Sequence, residues 1–434
     1  MTSQNKNQLR IEGTVAPGFE SVRQLYVHNM ESLEERNTQL CVYHKGERVV
    51  DLWASAIGDD TFSPDTLVNI FSSGKSLAAL AMASLVDQGH LDYNEKISTY
   101  WPEFAANGKG DLIVADLMRH EPGLAAFNTS LPPEDLHTEN IKKNLVGSVI
   151  EAQTSRFPKP PASRREYHAI TRGWVANEIF RRADPAGRTI GEFLREDVSG
   201  PLEVDAMIGV REEDLPRISP VVPLGFLFTF LESLKPRFLG RRIERNIFQL
   251  IGRLARIIVG ARRATVASAP PPFKGMTGLG NFNDPAVVRG ETPSANANCT
   301  ARGLAKIAAM LSGGGSWNDR QYLSAKGWDA LHGNPVFADM SIMPSFFSQG
   351  GVNEFVDETS KGQKESVLGR ALNDGRQGFF GWMGLGGSIF QWHPRHDIGF
   401  GYVPTSLNVL DILNERGKEY QREVVRCVEN LSSD

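Results

Sequence analysis

The spacing of apolar positions divides the chain into strand-rich ends and a helical middle. From about residue 20 to 35, Val22, Leu25, Tyr26, Met30 and Leu33 recur at helical spacing. Next come two short apolar runs, Gln39-Leu40-Cys41-Val42-Tyr43-His44 and Arg48-Val49-Val50-Asp51-Leu52-Trp53. The turn residues Lys45-Gly46-Glu47 separate them, which predicts a β-hairpin. At Asn69-Ile70-Phe71-Ser72-Ser73-Gly74-Lys75 a β-compatible stretch passes into the Ala/Leu-rich run to Ala83, a strong helix former. From there to about residue 215 the signals are mostly helical, with polar and Pro-rich connectors such as Phe157-Pro158-Lys159-Pro160-Pro161. A second long helix, Thr300 to Leu311, closes at Gly313-Gly314-Gly315. The C-terminal part returns to strands at 387–392 and 398–403 about a turn at 394–397, and a helix from about Leu407 to Leu431 follows. This order predicts an α+β fold whose sheet draws on about 20–60 and 300–434, with a mostly helical region at about 61–299 inserted. A functional cleft then falls between the two parts.

Bulk properties narrow the function classes. With 434 residues, 41% hydrophobic and 23% charged, the chain has the composition of a soluble globular protein. A formal net charge of −4 argues against a nucleic-acid partner. Cys41, Cys299 and Cys427 lie far apart, so neither a disulfide framework nor a zinc site is expected, and a reducing, cytoplasmic setting suits them. Nine histidines are scattered without a ligand-pair spacing, so no metal or other cofactor is indicated. The polar start Met1 to Gln8 predicts no signal peptide. The run Ile218 to Leu231, broken by Pro220, Pro223 and Gly225, is too short for a transmembrane helix.

Three segments carry candidate chemistry. Ser72 and Lys75, three residues apart at a helix start, fall on one face one turn apart. A Lys amine within reach of a Ser hydroxyl, beside the positive end of a helix, makes a nucleophile for acyl carbons. Gly74-Lys75-Ser76 is not a P-loop, because position 69 is Asn69 rather than Gly, and no G-x-S-x-G elbow occurs. The second segment is Glu166-Tyr167-His168-Ala169, just before a helical run. A Tyr near a Lys ammonium ionises more easily and can shuttle the Ser72 proton. The third is Gly381-Trp382-Met383-Gly384-Leu385-Gly386-Gly387-Ser388, at the mouth of a strand pair, where glycines permit close approach of a substrate. Taken singly, each segment also fits an ordinary role: a helix start, a half-buried structural Tyr and a Gly-rich turn.

Together and in this order the segments resemble the class C β-lactamase-related serine hydrolases, in particular their carboxylesterase-like branch. Leu117-Met118-Arg119-His120-Glu121-Pro122-Gly123-Leu124, Pro201-Leu202-Glu203-Val204 and Ser294 to Ala305 are similar to further segments of that family. The resemblance covers about 15–215 and 290–405, within a hydrolase domain expected over 15–405, and implies a β-lactamase/transpeptidase-like fold. It implies Ser72 as acylated nucleophile, Lys75 as its activator and Tyr167 as general base or acid. The N–H groups of Ser72 and Leu385 become an oxyanion hole, with Trp382, Gly384 and His168 beside the substrate. Two departures stand out. Ala169 replaces the Asn or Ser that would help hold Lys75, and Trp382-Met383-Gly384 replaces Lys-Thr-Gly. Without that Lys an anionic substrate loses a charge-assisted contact, which tilts the reading from β-lactam to a neutral or lipophilic ester. The alternatives are a β-lactamase or D-amino-acid-type peptidase, and a catalytically silent scaffold or membrane-associated assembly protein.

A basic insert interrupts the resemblance at about 220–265. On a helical wheel Ile243, Ile247, Leu250, Ile251, Leu254, Ile257 and Ile258 share one sector, opposite Arg241, Arg242, Arg245, Arg253 and Arg256. Such a stretch at 235–263 either covers an acyl pocket as a lid, its arginines solvated, or makes a peripheral membrane contact.

Overall fold

The computed structural model describes residues 9–156, 165–243, 245–263, 268–340, 344–364, 366–411 and 413–432; the Pro-rich connector at 157–161 lies outside them. Nine strands form one antiparallel sheet: β1 (Arg10–Val15), β2 (Asn37–His44), β3 (Glu47–Ser55), β4 (Val336–Asp339), β5 (Pro344–Phe347), β6 (Asn353–Glu354), β7 (Phe380–Met383), β8 (Ile389–His393) and β9 (Ile398–Pro404). Their order is β1-β3-β2-β9-β8-β7-β6-β5-β4, so the two chain ends meet where β2 pairs with β9, from His44↔Ile398 to Thr38↔Pro404. The expected hairpin is β2–β3, and Lys45 and Gly46 both have positive φ, the backbone of a tight hairpin turn.

Alternation along β9 explains how helices cover both sheet faces. Ile398, Phe400 and Tyr402 point into a core shared with α1 (Glu20–Ser32) and the C-terminal helix, through Val22, Tyr26, Tyr420 and Val424. On the other face Gly399 and Gly401 admit the helix Ala301–Ser312 into backbone contact. A Cβ on Gly399 would lie 2.3 Å from the Ala309 nitrogen, and one on Gly401 2.5 Å from the Ala301 carbonyl oxygen.

In chain order the helices used below are α2 (Lys75–Asp87), α3 (Thr171–Ala183), α4 (Phe226–Leu234), α5 (Ile247–Arg263), α6 (Ala301–Ser312) and α7 (Glu415–Leu431). The helix expected from Leu407 starts only at Glu415. Ser406–Leu407 instead pairs with Val222–Pro223, and Asn414 is left-handed at φ +48°. The insert also departs from a single amphipathic helix. α4 and α5 are two helices joined through Arg237–Leu239, and α5 begins at Ile247, beyond Arg241, Arg242 and Arg245. Arg245 is not on a solvated face. It is buried, bonded to Asp411 at 3.0 Å and Glu415 at 2.7 Å.

Candidate active site

The turn bearing Ser72 is held from several sides. Phe71 adopts φ +46°, an unfavourable region for an L residue. Its N–H donates to Asn69 Oδ1 at 2.7 Å, and its ring meets Phe282 edge-on at 5.0 Å. Phe71–Gly74 forms a tight 3₁₀ turn that runs directly into α2, which places Ser72 and Lys75 one turn apart, as the S-x-x-K spacing predicts. Gly74 is needed for packing: a Cβ there would lie 2.9 Å from Ala297 Cβ and 3.1 Å from the Pro293 carbonyl oxygen. That close approach brings the Ser294 carbonyl to Lys75.

Lys75 is fully buried and has no carboxylate among its bonded partners. Its Nζ donates to the carbonyl oxygens of Ala169 (2.8 Å) and Ser294 (2.9 Å), and lies 3.2 Å from both Ser72 Oγ and Tyr167 OH. Burial, and then the nearby Arg172 cation, hold Lys75 well below the usual lysine range. The Ser72 and Tyr167 hydroxyls share a 2.5 Å hydrogen bond. The expectation of an easily ionised Tyr167 fails on the balance of two effects. Burial raises it to about 12, more than the Ser72 bond and Arg172 lower it, so the phenol is neutral at neutral pH.

The loop carrying Tyr167 is pinned by residues sequence reasoning passed over. Arg165 pairs with Glu121 (3.2 Å) and donates to the carbonyls of Ser345 (3.0 Å) and Val336 (2.6 Å), fastening the loop to β4 and β5. His120, from the Leu117–Leu124 segment, accepts the His168 N–H at Nδ1 (3.0 Å), and its ring lies against Tyr167 and Trp382. His168 itself stands outside the cavity, contrary to its expected place beside the substrate. Its Nε2 accepts the Leu124 N–H at 2.9 Å and its Nδ1 donates to the Glu166 carbonyl at 2.6 Å. Both ring nitrogens are therefore occupied, and burial pushes the ring down to about 3, so it stays neutral.

The end of β7 closes the other side. Trp382 stacks on Tyr167 (6.2 Å between rings) and donates its indole N–H to the Gly351 carbonyl at 2.7 Å. Gly384 presses on the Ser72 turn, where a Cβ would lie 2.2 Å from the Ile70 carbonyl oxygen. Ser388 bonds the same carbonyl (2.6 Å) and Ser73 Oγ (3.0 Å), clipping the 384–388 tip to the Ser72 turn. Ser72, Tyr167, Trp382, Gly384 and Leu385 thus line one cavity of about 360 Å³, with Phe282, Met340, Phe347 and Phe355 among its walls. None of the described lining residues is Lys or Arg, and Asp411, the lining carboxylate, is paired with Arg245.

The chain that sets a burial-depressed Lys beside a Ser and a neutral Tyr, against the end of β7, matches one family over most of its length. The beta-lactamase family model covers residues 22–416. The chain belongs to the beta-lactamase family. Like other beta-lactamase relatives it is a serine hydrolase. Esterase/beta-lactamase LipL of Mycobacterium tuberculosis (strain ATCC 25618 / H37Rv) is 26% identical over 407 residues, 92% of this chain and 83% of LipL. A penicillin-binding protein homolog from Caulobacter crescentus superposes with TM-score 0.71 at 25% identity, covering 96% of this chain and all of its own. A family VIII carboxylesterase superposes with TM-score 0.72 at 24% identity over the same shares, and shows the shared beta-lactamase fold.

Proposed function

We propose that this serine hydrolase cleaves carboxylic esters with a neutral or lipophilic acyl part, through an acyl-enzyme on Ser72. The observation that carries the reading is the apolar cavity above Ser72, walled by Trp382 where β-lactamases place a Lys. A carboxylate-bearing substrate would lose its cation there, whereas an apolar acyl chain gains burial.

The proton path follows from the partners of Lys75. Two carbonyl oxygens only accept, so they occupy two N–H bonds of the neutral amine and leave its lone pair for the Ser72 and Tyr167 hydroxyls. In the proposed reaction Ser72 Oγ bonds to the ester carbon while its proton passes to Lys75, directly or through Tyr167. The backbone N–H groups of Ser72 and Leu385 receive the oxyanion. The C–O bond then breaks, and Tyr167 returns the proton to the departing alcohol. Water attacks the acyl-Ser72 by the same relay, releasing the acid and restoring the hydroxyl.

A fluorophosphonate probe and a substrate panel test this. Mass spectrometry should place the adduct on Ser72, and Ser72→Ala should retain no more than a trace of turnover. A panel of p-nitrophenyl esters should turn over faster than nitrocefin. Preferred hydrolysis of nitrocefin would favour the β-lactamase reading, which the LipL relative's double name keeps in view. No adduct and no turnover would leave a scaffold.

A further inference from the structure

The insert presents a surface that the active site does not use. Of the fifteen large apolar side chains exposed among the described residues, ten lie between Phe226 and Val259. Phe238 is 85% exposed, Phe248 82%, and Leu227 and Leu239 64% each. None of the described insert residues lines the cavity, so the lid reading loses its geometric basis.

Exposure here is not looseness of attachment. Leu250 is buried, and Arg245 is locked into Asp411 and Glu415. Arg242 N–H donates to Glu232 Oε2 at 3.0 Å, closing the α4–α5 connection. At its start the insert is stitched to the body by Val222 N–H to the Thr405 carbonyl and Leu224 N–H to the Leu407 carbonyl, both 2.9 Å. The apolar face is therefore held out by a fixed frame.

Charge decides what covers it. Residues 226–263 contain nine Lys or Arg and two Glu, a local net charge of +7 in a chain whose total is −4, and +6 without Arg245, which is buried against Asp411 and Glu415. Arg237 and Arg242 are exposed beside Phe238 and Leu239. A second copy of this face would bring two such positive surfaces together, which is unfavourable. An anionic bilayer satisfies both halves of the surface, because lipid headgroups pair with the arginines while Phe and Leu enter the acyl boundary. No helix among the described residues is long and apolar enough to cross a membrane, so the contact lies on the surface. We propose that the 226–263 face docks the protein on an anionic lipid bilayer. Asp411, which pairs with Arg245 of the insert, also lines the cavity, so the docking face and the cavity are tied through one ion pair.

Co-sedimentation of the full chain with vesicles tests this. Vesicles of phosphatidylcholine with phosphatidylglycerol should pellet the protein, and pure phosphatidylcholine should bind at least about tenfold less. Raising salt from about 0.1 M to about 1 M shortens the screening length from about 10 Å to about 3 Å and should release it. The double variant Phe238→Asp/Phe248→Asp should weaken binding at least about 100-fold, since each exposed Phe contributes about tenfold or more on burial. Its melting temperature and turnover of a soluble acetate ester should be unchanged. The proposal is overturned if anionic vesicles leave the protein in the supernatant, or if the double variant binds as tightly as the wild type. It is also overturned if the double variant instead converts a vesicle-indifferent dimer to a monomer, which would assign the face to a second copy.

Discussion

Arg172 tests how the amine of Lys75 is kept neutral. It is fully buried on α3, donates from Nη2 to the Gly351 carbonyl at 3.2 Å, and has no partner for Nη1 among the described residues. Burial lowers Arg172 to about 10, so it remains charged at neutral pH. The guanidinium carbon lies 5.4 Å and Lys75 Nζ 5.3 Å from the same Trp382 ring centre, which puts the two cations within about 11 Å of each other. At an effective dielectric constant of about 20, that separation gives a repulsion of about 1.5 kcal/mol or more against protonating Lys75. In Arg172→Met this repulsion is gone, the ammonium becomes easier to form, and the rising limb of kcat/KM against pH moves to higher pH. At a fixed pH on that limb, kcat/KM should fall about tenfold. Gly351 keeps its bond from Trp382, and an incompletely partnered buried cation is removed, so the melting temperature should hold or rise. Arg172→Lys, which keeps the charge, should leave the limb near its wild-type position. A pH profile of Arg172→Met that superimposes on the wild type would refute the argument.

Further outcomes follow from the packing. Tyr167→Phe should lower kcat by about 10²–10⁴-fold with little change in KM, because the phenol acts on proton transfer; an unchanged kcat would remove it from the relay. Trp382→Lys should raise the preference for a carboxylate-bearing over a neutral ester at least about tenfold, measured as a ratio of kcat/KM values so that losses common to both cancel. Gly401→Val, pressing a side chain into α6, should destabilise the fold by about 1–3 kcal/mol in urea titration; a neutral result would mean that α6 is not seated as described.

What the sequence made legible was local. The Ser72–Lys75 spacing, the Lys45-Gly46 turn and the glycine-closed helix at 300–311 each depend on neighbours in the chain. What it hid depends on distant partners. β4, β5 and β6 are too short to show a period, and they exist through pairing with β7 and one another. Arg172 looks in sequence like a surface residue on a helix, and only tertiary packing buries it against Trp382. His168 sits next to Tyr167 in the chain, yet the backbone groups of Leu124 and Glu166 take up both its nitrogens. The insert's stripe was visible, but an outward apolar face and an inward one have the same periodicity.

The seat of Lys75 also bears on how freely the gene can drift. Its fixed partners are main-chain oxygens of residues 169 and 294, and every amino acid supplies such an oxygen. An alanine at 169 therefore costs the lysine nothing that a polar side chain would have been required to give. Selection at these two sites acts on the path of the backbone, enforced from a distance by Gly74 against Pro293 and Ala297, and by Gly173 against Ser294. The constraint on Lys75 is thus written in the glycines, and a loss of function by drift should show first there, before the residues that touch the amine.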